Sequence, residues 1–284
     1  MLQLPLSIRR RFADIDIGQM HYYTAGEHLD ERPPVCLMGP SPWSAKWLAP
    51  LVDDLGASRW AIAPDTLGQG DSCSPPDGAD VAYLADATVR MLDAINVSRC
   101  DVFGMHTGGH VAMEMAIRHP DRIRRLVLEG IGIPPQEMKD EYTANIRKTP
   151  KPDAYGTHFT WAFNMNRDMF LFFPYYKKEL AHRRNREIPD ADELHERALD
   201  VLKNIKSYHH AYIAAWANNA GGSKFRQIPV PTMLTVAAVD TAETDMADVA
   251  ALIPDCVVRP TAPGSKSGDL APLTPVIVEF LDAD

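Results

Sequence analysis

Cysteine is scarce in this chain. Only Cys36, Cys73, Cys100 and Cys256 occur in 284 residues, and no two of them form a CxxC pair. That spacing excludes a disulfide framework and a cysteine-built zinc site. Cys36 and Cys100 fall in or beside apolar runs, where a free thiol behaves as a small hydrophobe. Basic residues are in deficit too, 29 against 38 acidic ones, for a formal net charge of −9. Such a field repels nucleic acid and anionic lipid surfaces, so neither nucleic acid nor membrane is an expected partner. No window supplies the roughly 20 uninterrupted apolar residues of a membrane span. The first ten residues carry Pro5, Arg9 and Arg10 where a secretory leader needs an apolar stretch. A soluble protein of the reducing cytoplasm is the expectation. No GxGxxG opens a helix, so no organic cofactor is implied. Histidine is absent beyond His210, so any imidazole chemistry must come from earlier in the chain.

What is present reads as an α/β protein. An apolar content of 45% suits a well-buried core. Residues 7–25 alternate as a hairpin with its turn at 16–18. Short apolar runs at 35–38, 60–63, 100–103 and 124–129 read as strands, and 45–55, 81–96 and 107–119 carry apolar residues at helical spacing. Strands alternating with helices of this length imply a mostly parallel sheet with helices on both faces. Between about 134 and 226 no strand is evident and the residues fit helices. The alternation resumes with a strand at 231–237, a helix at 247–253, a strand at 256–259 and a helix at 270–281. The division expected is a core in two parts, 1–135 and 227–284, with a helical cap at 136–226. No internal repeat or low-complexity segment occurs.

The segment Phe103-Gly-Met-His-Thr-Gly-Gly109 lies between a strand and a helix. It resembles the nucleophile elbow, G-x-S-x-G, of the α/β-hydrolase superfamily, a turn whose glycines let strand and helix approach closely. Other segments agree in order and spacing. Met38-Gly-Pro-Ser-Pro-Trp-Ser44 resembles the H-G-x-P loop after the third strand, and Pro64-Asp-Thr-Leu-Gly-Gln-Gly-Asp-Ser72 resembles the D-x-x-G-x-G-x-S turn. His119-Pro-Asp-Arg-Ile-Arg-Arg-Leu-Val-Leu128 is similar to the stretch joining the elbow helix to the sixth strand. The likeness covers the whole chain and is nearest to the cap-bearing group with epoxide hydrolases, dehalogenases and C–C hydrolases. It implies an α/β-hydrolase fold with a cap.

The chemistry implied by the resemblance is an activated nucleophile, a histidine base, an orienting acid and two N–H donors for the oxyanion. His106 stands at the nucleophile position. The family's base follows the last strand, around residues 261–266, and no histidine is there; Ser265 occupies that slot. Asp240 stands where the family places its acid. One oxyanion donor, the N–H of Thr107, is retained. The other aligns with Pro40, which has no N–H; a one-residue shift of the loop would offer Ser41. The Ser-His-Asp route is therefore not available to this chain.

An imidazole at the elbow, with a reference pKa of about 6.5, can serve as base or nucleophile near neutral pH. Asp240 or Ser265 could orient it. Trp43, after the third strand, and Trp161, in the insertion, are the expected substrate-binding rings. Residues 155–176 hold nine aromatics in 22 positions, read as glue between cap and core with a minority lining an apolar pocket. Glu129 is a second choice for the acid. Asp65 and Ser72 read as turn structure, and His110 and His119 as packing or surface residues. One or two of His158, Arg167, His209 and His210 are expected to face the pocket, with no HxxxH or HxH spacing among those cap histidines to support a metal. Arg183, Arg184 and Arg186 read as a solvated helix face balanced by Glu179 and Glu187. Three functions stay open. The first is a hydrolase acting on a small, partly apolar carbonyl or ester compound. The second is a lyase or other cofactor-free enzyme that abstracts a proton, and the third an inactive ligand-binding relative. The expected partners are a small-molecule substrate and, at most, a second copy of the chain in a homodimer.

Overall fold

The computed structural model describes residues 4–184, 186–218, 222–235, 246–259 and 270–283. In chain order it forms β1 (Arg9–Ile15), β2 (Gly18–Ala25), β3 (Val35–Met38), α1 (Ala49–Gly56), β4 (Ala61–Pro64), α2 (Val81–Ala94), β5 (Cys100–Met105), α3 (Thr107–Arg118) and β6 (Ile123–Glu129). There follow α4 (Gln136–Ile146), α5 (Thr157–Leu171), α6 (Ala191–Lys203), α7 (His209–Ala217), β7 (Thr232–Thr235), α8 (Met246–Ala250), β8 (Cys256–Val258) and α9 (Leu273–Leu281).

The eight strands form one sheet in the order β1-β2-β4-β3-β5-β6-β7-β8. Only β1–β2 and β2–β4 pair antiparallel; every pair from β4 to β8 is parallel. Successive side chains leave a strand on opposite faces, and the core divides accordingly. Phe103, Val127 and Met233 bury one face against α1 and α9. Val102, Leu126 and Leu128 bury the other against α2 and α3. Both faces are covered, which is why β3 and β4 are buried at every position and read as continuous apolar runs. Asp80 starts α2 by accepting the Tyr83 N–H, and Asp190 starts α6 by accepting that of Glu193.

A buried charge cluster ties the sheet to the last helix. Asp101, wholly buried on β5, accepts from Arg124 Nε and Nη2 at 2.9 and 2.7 Å, and Arg59 Nη1 lies 3.7 Å away with no exposure. Arg59 also reaches Asp282 beyond α9. Desolvation pushes the Asp101 carboxyl up despite three neighbouring arginines.

Between β6 and β7 the described residues add no strand to the sheet. Here α5 and α6 build a small core of their own from Ala162, Met165, Ala198 and Val201, which Tyr208 completes. α6 is fastened to the loop after β3: Asp200 accepts from Ser44 N (3.1 Å), Ser44 Oγ (2.7 Å) and Trp47 Nε1 (2.9 Å). Arg197 stacks beneath the same loop, 3.8 Å from the Trp47 ring centroid and 4.3 Å from that of Trp43. Among the described residues no helix is long and apolar enough to cross a membrane.

Candidate active site

β5 runs straight into α3, and the one residue between them is His106, at φ +48° and ψ −111°. A side chain at positive φ is strained, and the surroundings hold it there. Its N–H donates to the Glu129 carbonyl on β6 at 3.0 Å, and its own carbonyl accepts from Gly109 N at 2.9 Å and His110 N at 3.3 Å. The turn closes this tightly because α3 begins against the end of β3. A Cβ on Gly108 would lie 2.2 Å from the Met38 carbonyl oxygen, so that position tolerates no side chain.

The His106 ring is half-buried and its Nδ1 lies 2.9 Å from the carbonyl oxygen of Gly130. A carbonyl only accepts, so Nδ1 donates and carries the proton of the neutral ring. Nε2 then keeps the lone pair and is the basic nitrogen. Gly130, at φ +61°, adopts a left-handed conformation that turns this carbonyl toward the elbow. A backbone oxygen thus fixes the tautomer.

His106 forms part of the lining of a cavity of about 1120 Å³ between the C-terminal ends of the strands and the helical insertion. Pro40, Ser41, Trp43 and Thr107 line it as well. The Ser41 hydroxyl accepts a hydrogen bond from Gln69 Nε2. Thr107 is the first residue of α3, so its N–H is one of the amides that an α-helix leaves without an intrahelical partner. Trp161 is not among the lining residues: it packs in the insertion core against Tyr208, at 6.2 Å between centroids. Asp240 and Ser265 lie outside the described residues. Glu129 is fully buried at the end of β6 and paired with Met105 and Thr235.

Several residues read otherwise from the sequence belong to this cavity. The run Arg183, Arg184, Arg186 is not a solvated helix face; with His182 it lines the cavity. The reason is local: Phe172 bridges to Arg183, and the chain there is extended rather than helical. Lys139 and Arg197 add to the positive wall, against one lining acid, Asp248, among the described residues. The expected cap histidines and Arg167 are elsewhere; none of His158, Arg167, His209 and His210 lines the cavity. Of the nine aromatics of residues 155–176 a minority lines the cavity, as expected, but three of those read as glue do not serve as such. Phe170, Phe172, Phe173 and Tyr175 line the cavity, whereas Tyr155, Phe159 and Phe163 face solvent at 95%, 58% and 37% exposure. Tyr142, which stacks on Trp216 at 4.4 Å, completes an apolar side. Burial pushes the Tyr142 and Tyr212 hydroxyls well up, and that of Tyr175 up to about 12, so all three remain neutral donors at ordinary pH.

His110 is neither packing nor surface. It lines the cavity one turn along α3 from His106, and burial, reinforced by the charges of Lys139, His106 and Lys224, pushes its pKa down to about 3. The signal that would have found it is its place in the first turn of the elbow helix, four residues after His106 and so close to the group at the turn.

One group away from the cavity has the composition of a metal site: His21, Asp65 and Asp71 place ligand atoms within 4.8 Å of one another. Those atoms are already committed. Asp65 accepts from Ala45 N at 2.7 Å and from Asp71 N at 2.8 Å, its Oδ2 lies 2.8 Å from His21 Nδ1, and Asp71 pairs with Arg10 and Lys203. The cluster braces the glycine turn after β4, in keeping with Asp65 as a structural residue. Ser72 serves the same end by donating to the Asp65 carbonyl at 2.7 Å.

The family model of the alpha/beta hydrolase fold matches residues 36–262, and the chain belongs to that family. Over 96 residues it is 43% identical to a 2-hydroxymuconate semialdehyde hydrolase of Pseudomonas sp. (strain CF600), covering 32% of each chain. Over 136 residues it is 32% identical to a cis-3-alkyl-4-alkyloxetan-2-one decarboxylase of Shewanella oneidensis, covering 46% of this chain and 42% of that one. The chain spans less than half the length of these curated relatives. An enol-lactonase structure from Burkholderia xenovorans LB400 superposes with a TM-score of 0.74 at 18% identity, covering 96% of this chain and all of that one. At that identity the likeness speaks for the fold.

Proposed function

We propose that this chain is an enzyme of the hydrolase type that works without the serine nucleophile, with His106 Nε2 as its base or nucleophile. One observation carries the reading: an imidazole occupies the strained elbow, faces the cavity, and has its other nitrogen engaged by the Gly130 carbonyl. That is how a histidine base is normally prepared, with an acceptor holding the far nitrogen. Asp240 is the proposed supporting acid and Ser265 an optional second, both on their position in the chain. Thr107 N–H is the proposed oxyanion donor, with Pro40, Ser41 and Trp43 shaping the pocket. Residues 136–226 are proposed to act as a cap over core segments 1–135 and 227–284, and the cytoplasm is the proposed compartment.

The substrate is proposed to be a small, partly apolar carbonyl or ester compound that also bears a carboxylate. Aromatic rings and a cationic wall line the same cavity, so a molecule with an apolar body and an anionic end finds complements for both. Relatives named as a semialdehyde hydrolase and an oxetanone decarboxylase fit carbonyl chemistry of this kind. A second reading, cofactor-free proton abstraction without hydrolysis, is favoured by Pro40, which withdraws one oxyanion N–H, a loss worth about 10²–10³ in rate for acyl transfer.

Product analysis with a panel of carboxylated esters and 1,3-diketones, on wild type and His106→Ala, tests both readings. Turnover that disappears in the variant is expected, and the products separate hydrolysis from proton abstraction. Undiminished turnover in His106→Ala removes His106 from the mechanism. Tight uptake with no turnover across the panel would leave a binding protein.

A further inference from the structure

His110 has properties that packing does not require. Its ring lines the cavity, yet its Nδ1 is sealed from solvent and has no hydrogen-bond partner among the described residues. A neutral imidazole carries one proton, on one of two nitrogens. A sealed N–H without an acceptor is rarer and costlier than a sealed lone pair. That puts the proton on Nε2, the nitrogen that is not sealed. The ring sits in the first turn of α3, where the helix N-terminus opposes a further positive charge. It therefore stays a neutral donor.

We propose that His110 is a second catalytic residue, whose Nε2–H donates to the carbonyl oxygen of an enolisable, carboxylate-bearing substrate while His106 takes a proton from the adjacent carbon. The proposal rests on the role given to His106 above. It supplies what Pro40 cannot, a donor to a developing oxyanion from the wall of the same cavity. In the step, the C–H bond breaks and its proton passes to His106 Nε2. The electron pair forms the carbon–carbon double bond of the enolate, and the carbonyl oxygen takes the negative charge against the His110 N–H. Return of a proton from His106 regenerates the carbonyl compound, and in D2O that return leaves deuterium on carbon.

Phenylpyruvate in D2O is the probe, with loss of its methylene proton signals followed by NMR for the full chain and its variants. Wild type is expected to accelerate exchange and His106→Asn to lose it. His110→Leu is expected to lower kcat by about 10²–10³, the usual loss for one oxyanion donor, with KM little changed. His110→Gln, whose amide still donates, is expected to recover most of the rate. Exchange that is fast in wild type but insensitive to His110→Leu overturns the assignment of His110 alone. Exchange no faster than in buffer overturns the base role of His106, and the proposal with it. A second measurement is independent of turnover: the nitrogen spectrum of ¹⁵N-histidine protein is expected to show His110 protonated on Nε2 only, between pH 5 and pH 8. A proton on Nδ1, or titration within that range, refutes the assignment whatever the kinetics.

Discussion

The depressed pKa of His110 links stability to pH in a way that can be isolated. In the folded chain the ring titrates at about 3, against an ordinary value of 6.5. The unfolded chain therefore binds more protons between those limits, and stability rises with pH across them. The contribution is complete above about pH 6.5, and it is lost as pH falls toward 3. With 1.36 kcal/mol per pKa unit, the linkage removes on the order of 2 kcal/mol at pH 5 and 3 kcal/mol at pH 4. Cavity water screens the charged ring, so half of that is the working figure. Replacing His110 by Gln, which does not titrate, abolishes this share while leaving other carboxylate and histidine effects in place. Urea unfolding of wild type and His110→Gln at pH 7, 6, 5 and 4.5 measures it as a difference of differences. The wild type is expected to lose roughly 1 kcal/mol more than the variant between pH 7 and pH 5, which is about 2 °C in Tm for a chain of this size. Parallel curves would show that the ring is not held neutral, and the cause assigned to it would be wrong.

Three further perturbations test the frame around the site. Gly108→Ala forces a Cβ to within 2.2 Å of the Met38 carbonyl oxygen, a backbone atom that cannot swing aside. It is expected to abolish soluble folded protein or lower Tm by many degrees, and a folded variant with unchanged Tm would contradict the packing described. Asp101→Ala takes the carboxylate from Arg124 and leaves the wholly buried Arg59 with the partly exposed Asp282. A loss of about 3–5 kcal/mol in urea unfolding is expected, and less than 1 kcal/mol would mean that solvent reaches the cluster. Asp200→Ala strands the donors Ser44 N and Trp47 Nε1. At about 1–3 kcal/mol for each unsatisfied group, hydrogen exchange should speed up across α6 before the sheet is affected. Unaltered protection in α6 would show that the clamp is not what holds the insertion down.

Much of this arrangement was decided by the sequence alone. Apolar runs with a strand's length, separated by helical periods, dictate a covered parallel sheet, because neither element can bury its apolar side without the other. Phe103 to Gly109 dictates the elbow, since only small residues let β5 and α3 meet so closely, and His106 is legible there as the group placed at the turn. Tertiary structure alone decided what surrounds that imidazole. The arginines at 183, 184 and 186 reach the cavity through an extended segment anchored at Phe172, and no local periodicity encodes that fold-back. The aromatics of residues 155–176 divide between solvent and cavity by how α5 packs and by the path of the chain beyond Leu171, where Phe172, Phe173 and Tyr175 lie, and both are matters of packing partners. Gly130, distant in sequence from His106, fixes its tautomer because β6 runs beside β5 and ends at the same level. His110 carries no mark of its neutrality in the sequence. Its proton affinity is set by the protein that closes around the ring and by the cations brought beside it, and both exist only once the chain has folded.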